Sequence, residues 1–246
     1  MNKLQIVILA AGKGKRMNSQ ELPKVLVPLR GKPMIKYLLE SIKQAGISNP
    51  VIVVGQQAER VKAELGGQYQ YVFQAEQLGT GHAVAVTRDT LLNQADHIMV
   101  LYGDHPHVSA ATIKSIADAH LSSNNILTMA TVKVDDFFDW RQSFYDFGRI
   151  VRDVNGDLDK IVEKRDATPE QLEIKEVNPS YFCFRADWLW ENLVKLKNEN
   201  SQGEYYLTDL LGLAVDQNQK ITTVEIEPLE ALGVNTQEQL QQLENL

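Results

Sequence analysis

A chain of 246 residues with 43% hydrophobic content has room for one large α/β domain with a substantial core. Its formal net charge of −7 argues against general nucleic-acid binding, which needs basic surface to neutralise phosphates. The longest apolar run, Ile6 to Ala11, falls far short of the ~20 residues of a spanning helix, and the amino-terminal stretch lacks a small-residue cleavage pattern, so a cytoplasmic protein with no membrane partner is expected.

Leu4 to Leu9 reads as a strand and runs into LAAGKGKRM, where Gly12 and Gly14 permit a sharp turn that presents backbone N–H groups to an anion. A tight turn with solvated lysines is the plain alternative, because the loop matches neither the dinucleotide fingerprint nor the P-loop. Lys13, Lys15, Arg16, Lys24 and Arg30 concentrate positive charge in the first thirty residues of an acidic chain, which suits a small anionic substrate. Met34 to Gln44 has helical spacing and precedes a strand at Val51 to Val54, a βαβ pattern. Helical spacing returns at Gln57 to Leu65, Thr80 to Leu92 and Ala110 to Leu121. Strands are predicted at Tyr71 to Gln74, Ile98 to Tyr102 and Ile126 to Val132. These strands are apolar throughout, as in a sheet covered on both faces, so the first half is predicted to be a doubly wound, mostly parallel, Rossmann-like sheet.

The second half is more mixed. Strands are predicted at Arg149 to Arg152, Asp159 to Val162, Pro179 to Phe184 and Thr222 to Ile226. Asn155-Gly156 signals a hairpin between the first two, since both residues tolerate positive φ, and this implies an antiparallel excursion on the parallel platform. The single cysteine, Cys183, excludes an internal disulfide and falls at a buried strand position. Helices are predicted at Ala186 to Lys197, Tyr205 to Asp216 and Thr236 to Leu246.

LAAGKGKRM followed by LPKVL resembles the opening of the nucleoside-triphosphate transferases that activate sugar 1-phosphates. QAEQLGTGHAV from Gln74, LYGDHP from Leu101, FGRIVR from Phe147, IVEKRDA from Ile161, GEYYLTD from Gly203 and GVN from Gly233 follow in that family's order. Together they resemble the uridyltransferase domains of bacterial bifunctional enzymes that make UDP-N-acetylglucosamine. The resemblance implies a single nucleotidyltransferase domain over residues 1–246, with a mainly nucleotide-binding half to about residue 108 and a mainly sugar-binding half after it. It implies UTP and N-acetylglucosamine 1-phosphate as substrates, UDP-N-acetylglucosamine and pyrophosphate as products, and Mg²⁺ as cofactor.

By the same resemblance, Leu9, Ala10, Ala11, Gly12 and Gly14 lie along the nucleotide with Lys24, Tyr102 and Gly103, while Gln74, Gly79 and Thr80 read the uracil. Asp104 and Asn235 hold the metal, and Arg16, Lys24 and Asp104 act in catalysis. Gly148, Glu163, Asn178, Tyr206 and Thr208 form the sugar side, Glu163 accepting from sugar hydroxyls. No protein nucleophile is required, since the phosphate oxygen of the sugar attacks the α-phosphorus directly. Each residue also has a plainer reading: Gln74 as a strand cap, Gly79 as a turn, Asp104 as a helix cap and Tyr206 as core packing. Asp104, His105 and His107 also suggest a transition-metal site, although a lone H-x-H lacks a third spaced ligand.

The sugar side departs from the family. Asn178-Pro179-Ser180 stands where Asn-Thr-Gly is usual, Phe147 where a tyrosine is common, and Phe137 to Phe147 is longer. Another hexose or hexosamine 1-phosphate is therefore an alternative acceptor, and a nucleotide-sugar-binding regulator without turnover is an alternative of another class. The relatives continue into a β-helix with acetyltransferase activity, whereas these residues contain no hexapeptide repeat.

Overall fold

The computed structural model describes residues 3–12, 14, 17, 22–200 and 202–246. The chain opens with β1 (Leu4–Ala10), a small hairpin of β2 (Pro28–Leu29) and β3 (Lys32–Pro33), α1 (Met34–Gln44), β4 (Val51–Val54), α2 (Ala58–Leu65) and β5 (Gln70–Phe73). It continues with α3 (Thr80–Ala85), α4 (Arg88–Leu91), β6 (His97–Tyr102), α5 (Ala110–Ser123) and β7 (Leu127–Lys133). Then come β8 (Arg149–Arg152), β9 (Leu158–Val162), α6 (Pro169–Leu172), β10 (Glu176–Val177) and β11 (Phe182–Arg185). The last elements are α7 (Ala186–Leu193), α8 (Asp209–Asp216), β12 (Ile221–Ile226) and α9 (Gln237–Asn245).

Among the described residues one ten-stranded sheet runs in the order β5-β4-β1-β6-β11-β7-β10-β8-β9, with β12 also paired to β7. β5, β4, β1 and β6 are parallel to one another, and β11 runs antiparallel to β6. β10 and β11 run antiparallel to β7, and β8 with β9 forms the antiparallel excursion. Strand periodicity divides the core between the two faces. Ile6, Ile8, Met99 and Leu101 face one apolar cluster with α1, α2, α5 and α9, and Val7, Leu9, Ile98 and Val100 face another with α3, α7 and α8. Both faces are covered, so the strands carry unbroken apolar runs. Cys183 is fully buried in β11, where burial pushes its thiol well up.

The chain steps from β1 to β4 and β5 on one side and returns with β6 on the other. This places a topological switch point at the carboxyl ends of β1 and β6, where open α/β sheets bind ligands. Among the described residues no helix is long and apolar enough to cross a membrane.

Four sequence-based boundaries change for identifiable reasons. The helix predicted over Thr80 to Leu92 is broken after α3, where the Thr87 hydroxyl donates to the Val84 carbonyl at 2.7 Å. The strand predicted from Pro179 begins only at Phe182, because Ser180 takes φ 65°. The β8–β9 connection spans residues 153–157, and only Gly156 of the Asn-Gly pair has positive φ. Asp153 Oδ1 closes this loop by accepting from the N–H groups of Asn155 at 2.8 Å and Asp157 at 2.9 Å.

The fourth change is the helix predicted from Tyr205, which begins at Asp209 because the preceding residues dock on the Gly79 turn. Tyr205 N donates to the Leu78 carbonyl at 2.7 Å, Gly81 N donates to the Tyr205 carbonyl at 2.8 Å, and Leu207 N donates to the Thr80 hydroxyl at 3.0 Å. Gly79 has φ 106°, and a Cβ there would stand 2.5 Å from the Tyr205 carbonyl oxygen. Gly79→Ala is therefore expected to cost about 1–3 kcal/mol, from backbone strain and loss of this docking. The change should be read as a lower urea midpoint at an unchanged m-value.

Candidate active site

Lys24 stands on a short 3-10 turn, Lys24–Leu26, entered through Pro23 and anchored by buried Val25 and Leu26. Its ammonium donates to Asp104 Oδ2 and, at 2.7 Å, to Asn235 Oδ1. These three side chains come from distant parts of the chain and are brought together by backbone contacts. Gly103 N donates to the Leu9 carbonyl at 3.0 Å, joining the carboxyl ends of β1 and β6 just before Asp104. Val234 N donates to the Asp104 carbonyl at 3.0 Å, drawing in the segment that bears Asn235. A capping box between Thr236 and Gln239 starts α9, and Gln239 Oε1 also accepts from Asn235 N at 2.6 Å.

Burial raises the Asp104 pKa, but the Lys24 ammonium, with help from His105, outweighs it and holds the carboxyl below its ordinary value. The imidazole of His105 is pushed down, first by burial and further by Lys24, against the pull of Asp104. Its Nδ1 lies 2.5 Å from the Tyr181 hydroxyl. Burial, with the Asp104 charge, raises Tyr102, whose hydroxyl is paired with Ser180. Two oxygen donors already converge on one cation here, and this donor set fits a hard divalent ion such as Mg²⁺. Among the described residues no three His, Cys, Asp or Glu side chains cluster as metal ligands, so the Asp104, His105, His107 triad does not form.

The cleft above this group has a volume of roughly 850 Å³, within the range of small-molecule sites. Its far wall carries Gly148, Glu163, Asn178, Tyr206 and Thr208, and its near end carries Tyr102, Asp104 and Asn235. Asn178 is buried, donates its N–H to the Gly148 carbonyl at 2.9 Å and accepts from Ser180 N through Oδ1 at 2.8 Å. Burial holds Glu163 above the usual glutamate range, with Arg165 opposing and Asp209 and Asp166 adding to the rise.

Behind Gly148 the fully buried Arg149 donates to the carbonyls of Phe147, Tyr145 at 3.0 Å and Leu172 at 3.4 Å. Its guanidinium also lies over the rings of Phe137 and Tyr145. The long aromatic segment thus becomes a 3-10 turn, Asp139–Asp146, packed as the outer wall of the cleft.

Residues 6–218 match the family described as the MobA-like NTP transferase domain. The chain belongs to that family and is a nucleotidyltransferase. It is 40% identical over 243 residues to the bifunctional protein GlmU of Geobacter metallireducens, covering 98% of this chain and 49% of that protein. The GlmU of Acetivibrio thermocellus is also 40% identical, over 98% of this chain and 50% of its own length. The transferase thus spans about half the length of these curated relatives. A Bacillus anthracis structure described as a glucose-1-phosphate thymidylyltransferase superposes with a TM-score of 0.76 at 21% identity, covering 98% of this chain and 94% of that one, and so shares the fold.

The transferase brings Lys24, Asp104, Asn235, Thr80, Tyr102, Gly148, Glu163, Asn178, Tyr206 and Thr208 to one cleft or its floor. Arg16, with Lys13 and Lys15, lies outside the described residues. Gly14 takes φ 60° and its carbonyl accepts from Met17 N at 2.9 Å. Leu9 and Ala10 are still paired within the sheet, with Val53 and Val54 of β4, so the loop backbone leaves the ladder only at Ala11 and Gly12. Gln74 is buried, its Nε2 donating to the Gly79 carbonyl at 3.2 Å and lying 3.0 Å from His82 Nδ1, so both of these contacts engage the amide nitrogen.

Arg30 does not join the site: its guanidinium donates to the carbonyls of Leu243 at 3.4 Å and Glu244 at 3.0 Å at the end of α9. A cation that the motifs alone do not single out is Arg165, which lines the cleft beside Glu163, Asp209 and the Tyr206 hydroxyl. In the sequence it is hidden in EKRD, which reads as a solvated charge run.

The raised Glu163 pKa makes a signed prediction. The native state binds that proton more readily than the unfolded chain, so the penalty is absent below the unfolded value of about 4.3 and complete above the folded one. Glu163→Gln is expected to raise the thermal midpoint of the ligand-free protein above the folded-state pKa, with the gain shrinking as pH falls from there toward the unfolded value. Thermal unfolding across that range checks it, and a gain that grows toward acid pH would contradict it.

Proposed function

We propose that this nucleotidyltransferase moves a uridylyl group from UTP to N-acetylglucosamine 1-phosphate, giving UDP-N-acetylglucosamine and pyrophosphate. The observation that carries the reading is the convergence of Asp104 and Asn235 on one ammonium at the floor of a cleft walled by Gly148, Glu163 and Asn178. The GlmU relatives support it over the length they share with this chain.

Asp104 and Asn235 would hold Mg²⁺, which when bound supplies positive charge beside the reacting phosphates. The remaining work falls to the chain. A phosphate oxygen of the sugar 1-phosphate forms a bond to the α-phosphorus of UTP, and the bond from that phosphorus to the β-bridging oxygen breaks, pyrophosphate leaving with the electron pair. That oxygen is already anionic, so no general base is needed. The difficulty is bringing two anions together, and Lys24, held at the carboxyl ends of β1 and β6, offsets the charge that builds on the transferring group. Ala11 and Gly12 offer backbone N–H groups to the nucleotide. Glu163 accepts from sugar hydroxyls, Asn178 lends its amide to them, and Gly148 offers its backbone near the acetamido group.

Asp104→Asn and Asn235→Ala are each expected to lower kcat by at least about a hundredfold while the circular dichroism spectrum is unchanged. Asn at 104 still gives Lys24 an oxygen to bond, which is why the fold survives. Near-normal turnover of either variant at limiting Mg²⁺ would remove that residue from the metal site.

The acceptor is tested by pyrophosphate release from UTP with a panel of sugar 1-phosphates. N-acetylglucosamine 1-phosphate is expected to have the highest kcat/KM. Glu163→Ala should raise its KM with little effect on UTP, a loss of about 1.5–3 kcal/mol or roughly ten- to a hundredfold in kcat/KM. A higher kcat/KM for glucose or galactose 1-phosphate would end the N-acetylglucosamine reading and leave nucleotidyl transfer standing.

A further inference from the structure

His105 lies in the cleft with no task in the reaction above. Its ring is oriented by its surroundings. Tyr181 has one hydroxyl proton and donates it to the Glu230 carbonyl at 2.8 Å. The 2.5 Å contact between that hydroxyl oxygen and His105 Nδ1 then needs a proton on the imidazole, which assigns Nδ1 as the donor. In the neutral ring Nε2 is left as the lone-pair atom. It faces Asp104 Oδ1 at 3.6 Å, while the other carboxylate oxygen of Asp104 and Asn235 Oδ1 bond to Lys24. Two acceptors facing each other in this way are favourable beside positive charge, which the Lys24 ammonium supplies on the other side of the Asp104 carboxylate and which a divalent ion between them would supply directly. Gly233 supplies the room: a Cβ there would overlap His105 Nε2 first of all, and would stand 2.8 Å from Cδ2 and 3.0 Å from Cε1. The GVN segment therefore closes over the imidazole and sets Asn235 beside it.

The geometry points to His105 Nε2 as a nitrogen donor to the divalent cation at Asp104 and Asn235, tilting the site toward Mn²⁺ or Co²⁺ relative to Mg²⁺. This rests on the metal reading proposed above. Two donors each about 2.1 Å from one ion lie at most about 4.2 Å apart, so a 3.6 Å separation can be spanned. Metal-bound histidines commonly donate their other ring N–H to an oxygen, as His105 does to Tyr181. An imidazole favours the later divalent ions, whereas an all-oxygen set suits Mg²⁺.

The test is pulsed electron paramagnetic resonance of Mn²⁺ bound to the untagged protein with α,β-methylene UTP, whose bridge contains no nitrogen. The wild-type spectrum is expected to show the ¹⁴N coupling of a directly bound imidazole, and His107→Ala should keep it. His105→Ala should lose the coupling and weaken Mn²⁺ binding by roughly tenfold or more, with Mg²⁺ binding changed far less. The wild-type spectrum decides even if that variant folds poorly. Absence of ¹⁴N coupling in wild type, with Mn²⁺ binding still abolished by Asp104→Asn, would overturn the His105 assignment and spare the metal reading. Mn²⁺ binding indifferent to Asp104→Asn would overturn both.

Discussion

One ammonium group organises the active end of this protein. Lys24 bonds a carboxylate from the end of β6 and a carboxamide from just before α9, in a setting where its own side chain is 12% exposed and that of Asp104 is 15% exposed. Leaving either charge without its partner there would be costly, since an unpaired buried ion loses about 3–5 kcal/mol. The pairing constrains the backbone around it. The 3-10 turn must present Lys24, Gly103 must sit against Leu9, and the GVN segment must lie along Asp104. A cleft that later takes anions is held together, without them, by its own cation.

The opposite wall is built on different physics. The chain from Glu176 to Arg185 runs antiparallel to β7 but is interrupted at Asn178-Pro179-Ser180, where β10 faces β8 and β11 faces β6. That interruption lets a sheet strand present a buried amide and a serine hydroxyl to the cleft. Ser180 occupies a left-handed conformation that glycine would take without strain, and Tyr102 pairs with its hydroxyl. Arg149 stiffens the region behind it by gathering backbone carbonyls that the aromatic segment would otherwise leave unpaired.

Much of the scaffold was legible because local and tertiary preferences agree there. Met34 to Gln44 and Val51 to Val54 have the periods of a covered helix and a covered strand, and the structure keeps those bounds. The start of α8 was not legible, because residues 205–207 obey the carbonyls and hydroxyl of the Gly79 turn rather than their own helical spacing. Arg30 reads as one more phosphate-directed cation, yet it caps α9, a contact that depends on where the chain returns more than two hundred residues later. Arg149 sits in a motif without revealing its role, since its partners are backbone groups of loops. In the cleft, motif order sufficed to gather Asp104, Asn235, Glu163 and Asn178, while Arg165 and Tyr181 become visible only through packing.

The hydrogen bond between Lys24 and Asn235 spans 211 positions of sequence. During synthesis, the sheet through β11 can condense while the floor of the cleft still lacks its amide. Loop closure over such a separation comes late, after nearer contacts have formed. A chain extended only through β11 can therefore hold the Lys24–Asp104 pair without Asn235. Assembly of the floor coincides with docking of α9 against Arg30, so a single late event completes both.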